Sequence, residues 1–246
     1  MTFSPRPNGK SNRVNRRSPK KMDDNTPVIA FSKVTFSYAG GKALFQDLSL
    51  ELAGGGFYLV RGPSGSGKST FLRLVNRLEE PSHGHLMFEG RPLTAYSPPL
   101  LRRKILYIQQ TPTSVETTVR ENLRLAFSFK NNRDLTPPDD DTLRSRLDNF
   151  LLNDIHLEAR ASTLSVGQLQ RLCFLRGLLL NPKVLLLDEP ASALDEESAR
   201  IVEETAERLC AASGLTVLMV SHRVFAPRWV EKKVLRIVKG QMEVRA

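Results

Sequence analysis

The sequence predicts an α/β fold built on a mostly parallel sheet with flanking helices, and three observations carry that prediction. The apolar run Phe57-Tyr58-Leu59-Val60 passes into GPSGSGKST, Gly62 to Thr70, and then into a helical pattern. Two further runs, Val184-Leu185-Leu186-Leu187 and Thr216 to Val220, have the unbroken hydrophobicity of strands covered on both faces. The segment between them, Glu196 to about Ser213, reads as a helix, and such alternation places ligand chemistry at the carboxyl ends of the strands.

The remaining elements follow in chain order. From Val28 to Glu51, alternating apolar and polar residues around the Gly40-Gly41 turn predict an antiparallel β region, a subdomain beside the main sheet. A helix begins near Lys68; Pro81-Ser82-His83-Gly84 reads as a turn, Leu86-Met87-Phe88 as a short strand, and Glu89 to Pro92 as the turn that ends it. Lys104 to Gln109 predicts another buried strand. Residues 111–163 then turn helical, with one helix opening at Thr118 to Leu123 and a second over Leu143 to Leu152, separated by the Pro137 to Asp141 break. This segment is expected to form a small helical subdomain inserted in the core. An apolar helix over Val166 to Leu180 and a terminal β pair, Lys233 to Val238 and Gln241 to Val244, complete the reading, with no internal repeat.

The segment Gly62, Pro63, Ser64, Gly65, Ser66, Gly67, Lys68, Ser69, Thr70 is a complete phosphate-cradling loop at a strand-to-helix junction. Its glycines let successive N–H groups turn inward on an anion, and the positive end of the following helix adds to the attraction. Lys68 supplies a mobile charge for β- and γ-phosphates, and Ser69 a hydroxyl where a phosphate-bound Mg²⁺ takes an oxygen ligand. Asp188 and Glu189 close the Val184 strand side by side. Beside such a loop, Asp188 is the natural Mg²⁺ partner, and Glu189 is placed to orient or deprotonate an attacking water.

Composition narrows the class further. With 246 residues, 40% of them apolar, the chain supports one substantial core, and no apolar run approaches the ~18 residues that span a bilayer. Cys173 and Cys210 lack C-x-x-C spacing, which argues against a zinc site or disulfide framework and fits a reducing, cytosolic setting. The net charge of +10 is half explained by residues 1–27, where seven basic residues face two acidic ones among Pro, Asn and Ser. That segment is expected to be a disordered basic tail, residues 28–246 forming the folded domain.

From Val28 to about Glu243 the chain resembles the ATP-binding subunits of ABC transporters. The specific element is Leu164-Ser165-Val166-Gly167-Gln168, followed by Leu169-Gln170-Arg171, which is similar to the family's signature LSGGQ. The departure is Val166 in place of glycine. The resemblance implies a P-loop NTPase ABC ATPase core and ATP with Mg²⁺ as ligands. It also implies that Ser165, Gly167 and Gln168 belong to the nucleotide site, the serine and glycine approaching the γ-phosphate held by an opposite subunit. Crowding by Val166 is expected to slow turnover without abolishing it. Tyr38 matches the family's adenine-stacking aromatic, and Gln110 the glutamine that touches metal and attacking water, with Gln109 the register alternative. His222 matches the histidine that contacts the γ-phosphate, although Arg223 stands where an aspartate commonly follows, and Asp195 matches the carboxylate of the loop that crosses the subunit interface.

What the resemblance implies about function is an ATPase that works as a homodimer and powers a polytopic membrane permease subunit, peripheral to the cytoplasmic face of the inner membrane. The stretch Phe88 to Leu123 is most similar to small bacterial ATP-binding subunits assigned to metal export, especially of iron, and is also similar to phosphate-import ATPases. A soluble ABC-type ATPase acting on nucleic acid or ribosomes is the competing class, disfavoured because the chain has a single cassette and no sustained heptads; nucleic acid is therefore not the expected partner. A small-molecule kinase would share the phosphate loop but would need neither the signature nor the His222 strand.

Overall fold

The computed structural model describes residues 26–192, 194–223 and 225–245. The basic tail expected over residues 1–27 lies almost wholly outside them. Two sheets organise the chain. β1 (Ile29–Phe36), β2 (Phe45–Leu52), β4 (His83–Phe88) and the short β5 (Arg91–Pro92) form an antiparallel sheet in the order β2-β1-β4-β5. The second sheet contains β3 (Phe57–Arg61), β6 (Ile105–Ile108), β7 (Val184–Asp188), β8 (Thr216–Val220), β9 (Lys232–Val238) and β10 (Gln241–Arg245). Its order is β10-β9-β3-β8-β7-β6, parallel throughout except for the β9–β10 hairpin.

Burial explains the two patterns. Every residue of β7 and β8 is buried, as a parallel strand with both faces covered requires. β2 instead alternates, with Leu48, Leu50 and Leu52 inward and Asp47, Ser49 and Glu51 outward. The central strands divide their side chains between two cores. Tyr58, Val60, Leu186 and Leu218 join the antiparallel sheet and Phe71, Leu72 and Val75 of α1 (Lys68–Val75). Phe57, Leu59, Leu185, Leu187, Val217 and Met219 face the other way, toward helices α3 (Val119–Arg124), α4 (Asp140–Asp148), α5 (Val166–Leu178) and α6 (Glu196–Ser213).

Local chemistry sets the helix ends. Thr118 and Glu121 form a reciprocal capping box at the start of α3, Asp139 caps α4, and Asp195 accepts from Ser198 N at 2.8 Å to open α6. Gly214, with φ of 67°, closes α6 in the left-handed conformation. Three expectations shift. β4 begins at His83, inside the expected turn, because His83 and His85 pair with Thr35 and Ser32 of β1. α4 runs over Asp140–Asp148 rather than to Leu152, since Leu151 adopts φ of 49° and the chain turns there. A helix not foreseen, α2 (Pro98–Lys104), starts with proline at its first position, where no N–H is needed.

Register puts the carboxyl ends of four strands together. Val60 is paired with Val220, Val220 with Asp188, and Ile108 with Leu187. Gly62, Asp188–Glu189, His222 and Gln110 therefore leave the sheet at one end of the molecule.

Candidate active site

Val60 and Arg61 end β3, and the chain wraps through Gly62 to Gly67 into α1. A Cβ on Gly62 would stand 2.6 Å from Ser66 Oγ, so a side chain there would displace that hydroxyl. Gly67 takes φ of 96° at the N-cap of α1, a backbone state that costs other residues dearly. No side chain caps this helix, which leaves its first N–H groups aimed into the loop. Ser66 Oγ is buried with no hydrogen-bond partner. Lys68 is 8% exposed, and its Nζ donates to the carbonyls of Gly62 and Pro63 at 3.1 and 3.0 Å. A buried ammonium, an orphan hydroxyl and an uncapped helix end together make a concave site for an anion; Ser64, Gly65 and Pro63 are its exposed outer turn.

The carboxylates meet this loop from β7. Asp188, 7% exposed, accepts from Ser69 Oγ at 2.9 Å through Oδ1 and from Tyr107 OH at 2.6 Å through Oδ2. Burial, with the Asp188 carboxylate beside it, pushes the Tyr107 hydroxyl up to about 12, so it stays a donor. The donor set of Ser69 and Asp188, with Gln110 nearby, offers the hard oxygen atoms that suit Mg²⁺, so the residues fit that ion. Among the described residues no cluster of three or more His, Cys, Asp or Glu side chains could hold a metal ion.

Glu189 turns away from β7 with φ of 50°, a left-handed conformation rare for a residue with a side chain, and its N–H donates to Val220 O at 3.1 Å. This turn aims the carboxylate at His222, whose Nε2 lies 3.1 Å from Glu189 Oε1. Gln110 Nε2 donates to Ser192 Oγ at 2.9 Å, and that hydroxyl donates to Glu189 O at 3.1 Å. Gln110 is thus tied to the Glu189 turn, whereas Gln109 lines a cleft of about 170 Å³ with Cys173 and Arg176. Tyr38 is 43% exposed on the rim; its hydroxyl shares a 3.0 Å hydrogen bond with Thr70 Oγ1, and its ring meets Phe36 edge to face.

Ser165, Gly167, Gln168 and Asp195 form a second group. Ser165 Oγ accepts from Gln168 N at 3.2 Å while Gln168 Oε1 accepts from Ser165 N at 2.9 Å, a closed capping box on α5. A Cβ on Gly167 would lie 3.0 Å from Ser198 Oγ and 3.7 Å from Asp195 Oδ2, so this glycine lets α5 approach the start of α6 within one chain. No hydrogen bond or ion pair among the described residues joins this group to the phosphate loop. Val166 is 57% exposed at the first position of α5. Sequence reasoning did not single out Tyr107, Ser192 or Arg61. The available signals were a tyrosine two residues before a glutamine loop and an arginine ending an otherwise apolar strand.

A phosphate-cradling loop facing a strand-end Asp–Glu pair and a histidine defines a nucleoside-triphosphate hydrolase. The chain matches the ABC transporter family model over residues 45–192. It is 36% identical over 82% of its length to the "Probable iron export ATP-binding protein FetA" of Escherichia coli (strain K12), spanning 87% of that protein. It is 38% identical over 84% of its length to "Protein STAR1" of Oryza sativa subsp. japonica, of which it spans 58%. A solved dimer of the ATP-binding cassette MJ0796, in a post-hydrolysis state with ADP and Pi, aligns at TM-score 0.71 and 25% identity over 87% of this chain and 96% of that one. The chain therefore belongs to the ABC transporter family, and it is an ATP-binding, ATP-hydrolysing domain of it.

Proposed function

We propose that two copies of this chain close around two ATP molecules and drive a polytopic permease that exports a metal ion such as iron. The observation that carries this reading is the separation of the site into two groups. The phosphate loop, Asp188, Glu189 and His222 hold one side of a nucleotide, and Ser165, Gly167 and Asp195 lie apart, available to a second copy. The similarity to an iron-export ATP-binding protein supports the cargo. No helix among the described residues is long and apolar enough to cross a membrane. In this reading the permease is a polytopic partner subunit, and the chain docks on it at the cytoplasmic face of the inner membrane.

In this reading the phosphates of ATP enter the loop and take the Lys68 ammonium from the Gly62 and Pro63 carbonyls, while Ser66 Oγ and the uncapped N–H groups of α1 find their missing partner. The adenine stacks on the exposed Tyr38 ring. Ser69, Asp188 and Gln110 would hold Mg²⁺, which would neutralise negative charge on the phosphates. Glu189 takes the proton of the attacking water, and His222 donates to a γ-phosphate oxygen. Ser165 Oγ already accepts from Gln168 N, so its own proton is the one free to reach a phosphate across the dimer. Binding energy thus favours the closed pair, and hydrolysis releases it.

Affinity isolation of tagged chain from detergent-solubilised membranes, with and without ATP, tests the proposal. Recovery of one polytopic protein, and ATPase activity of that complex raised by ferrous ions, is the expected result. Stimulation by inorganic phosphate instead would replace the cargo with the import alternative. Recovery only in the soluble fraction with nucleic acid or ribosomes would overturn the transport role.

A further inference from the structure

His222 lies on a short segment after β8, 60% of its side chain exposed, and among the described residues the imidazole has only Glu189 within ion-pair distance. An imidazole held so lightly needs its backbone fixed if it is to meet a γ-phosphate reproducibly, because misplacement by about an ångström can cost on the order of a hundredfold in rate. Arg61 provides that fixing. It is the last residue of β3, adjacent in sequence to Gly62, and its side chain crosses to the end of β8. Its Nη1 donates to Ser221 O, and its Nη2 donates to Arg223 O at 2.7 Å. Those carbonyls flank His222 on both sides.

Charge supports the same assignment. Glu203 of α6 is 5% exposed, and its Oε1 has no hydrogen-bond partner; Arg223 Nε stands 3.7 Å from it. Burial pushes the Glu203 carboxyl up, and Arg223 and Arg61 pull it down. Arg223 also reaches Glu196 at 3.2 Å, at the start of α6. The segment carrying His222 is therefore braced from β3 by Arg61 and from α6 through Arg223. The arginine that replaces the aspartate expected after His222 is part of this brace.

We propose that Arg61 is a positioning residue for His222: its guanidinium fork clamps the two carbonyls around the histidine and fixes the distance between the phosphate loop and the imidazole. In this role Arg61 acts through the backbone that carries His222 and not on the phosphates themselves. The inference rests on the reading that His222 contacts the γ-phosphate, and the test separates the two.

The experiment compares Arg61→Met, Arg61→Lys and His222→Ala in the full chain by steady-state ATP hydrolysis, by affinity for a fluorescent ATP analogue, and by ¹H–¹³C spectra of the four histidine rings. Loss of two charge-assisted hydrogen bonds in Arg61→Met is expected to lower kcat about tenfold, with KM and analogue affinity within about twofold. The His222 resonance is expected to move while those of His83, His85 and His156 stay. Arg61→Lys, which keeps the charge beside Glu203 but loses the fork, is expected to recover part of kcat and still move the His222 resonance. An unmoved His222 resonance, or a raised KM with kcat unchanged, overturns the assignment. Should Arg61→Met fail to fold, the Arg61→Lys spectrum decides it alone. If His222→Ala keeps full activity, the reading of His222 fails; if His222→Ala is inactive and Arg61→Met is not impaired, only the positioning role fails.

Discussion

The phosphate loop and the signature segment are both turns that lead into a helix, and they use the helix N-terminus in opposite ways. At α1 the N-cap is a left-handed glycine with no side-chain cap, a buried hydroxyl is left unpartnered, and a lysine folds back on carbonyls. At α5 the N-terminus is closed by the Ser165–Gln168 capping box. An open helix end waits for an anion, and a closed one presents a surface. On the proposed reading one chain carries one receptive half-site and one presenting half-site; no hydrogen bond or ion pair among the described residues joins the signature group to the phosphate loop.

Breaking the receptive half gives the largest effects. Glu189→Gln keeps the side-chain shape and removes the carboxylate proposed as the base, so turnover is expected to fall by about 10²- to 10⁴-fold while Mg-ATP traps a dimer visible by size exclusion. A variant that stays monomeric at saturating Mg-ATP would remove the two-copy reading. Lys68→Ala is expected to weaken ATP about 10- to 100-fold in equilibrium binding, because a charge-assisted contact is lost. The melting temperature should hardly change, since Lys68 bonds only loop carbonyls.

The presenting half gives smaller changes that sharpen the contrast. Val166 sits at the first helical position with a backbone that does not require glycine, so Val166→Gly is expected to raise turnover a few-fold if the exposed branch crowds a partner, and to cost about 0.5–1 kcal/mol in stability. Gly167→Ala places a methyl 3.0 Å from Ser198 Oγ, and because alanine's better helix propensity offsets that crowding, stability is expected to change by less than about 1 kcal/mol, a melting shift under roughly 4 °C.

The smallest effect concerns the two helices behind that half. Burial pushes Cys210 on α6 up to about 11 and also raises Cys173 on α5. The stability linked to a neutral Cys210 is complete below the ordinary thiol value of 9.0 and is lost as pH rises through about 11, because the unfolded chain then binds fewer protons. Thiol titration at pH 8 should show no fast reaction in the native protein and two reactive thiols after denaturation; fast native labelling would mean that α5 and α6 open readily.

Much of this was legible in the sequence. The runs Val184 to Leu187 and Thr216 to Val220 predict strands β7 and β8 because burial on both faces leaves no room for polar residues. α6 runs from Glu196 to Ser213 as read, bounded by its Asp195 cap and Gly214. The phosphate loop and the Asp188–Glu189 pair were readable because their chemistry is local. Arg61 and Tyr107 were not, since their roles depend on partners 160 and 81 residues away. The Glu189 turn, left-handed without a glycine, gave no compositional signal either. α2 was hidden by a Pro-Pro pair that reads as a loop but here begins a helix.

The most direct test of the two half-sites is to mix two inactive variants, Lys68→Ala and Ser165→Phe, and measure ATP hydrolysis. If each nucleotide lies between the loop of one copy and the signature of another, half of the random dimers regain one intact site, and activity returns to about a quarter of wild type. If each chain completes its own site, every chain in the mixture remains defective and no activity returns, which would contradict the account.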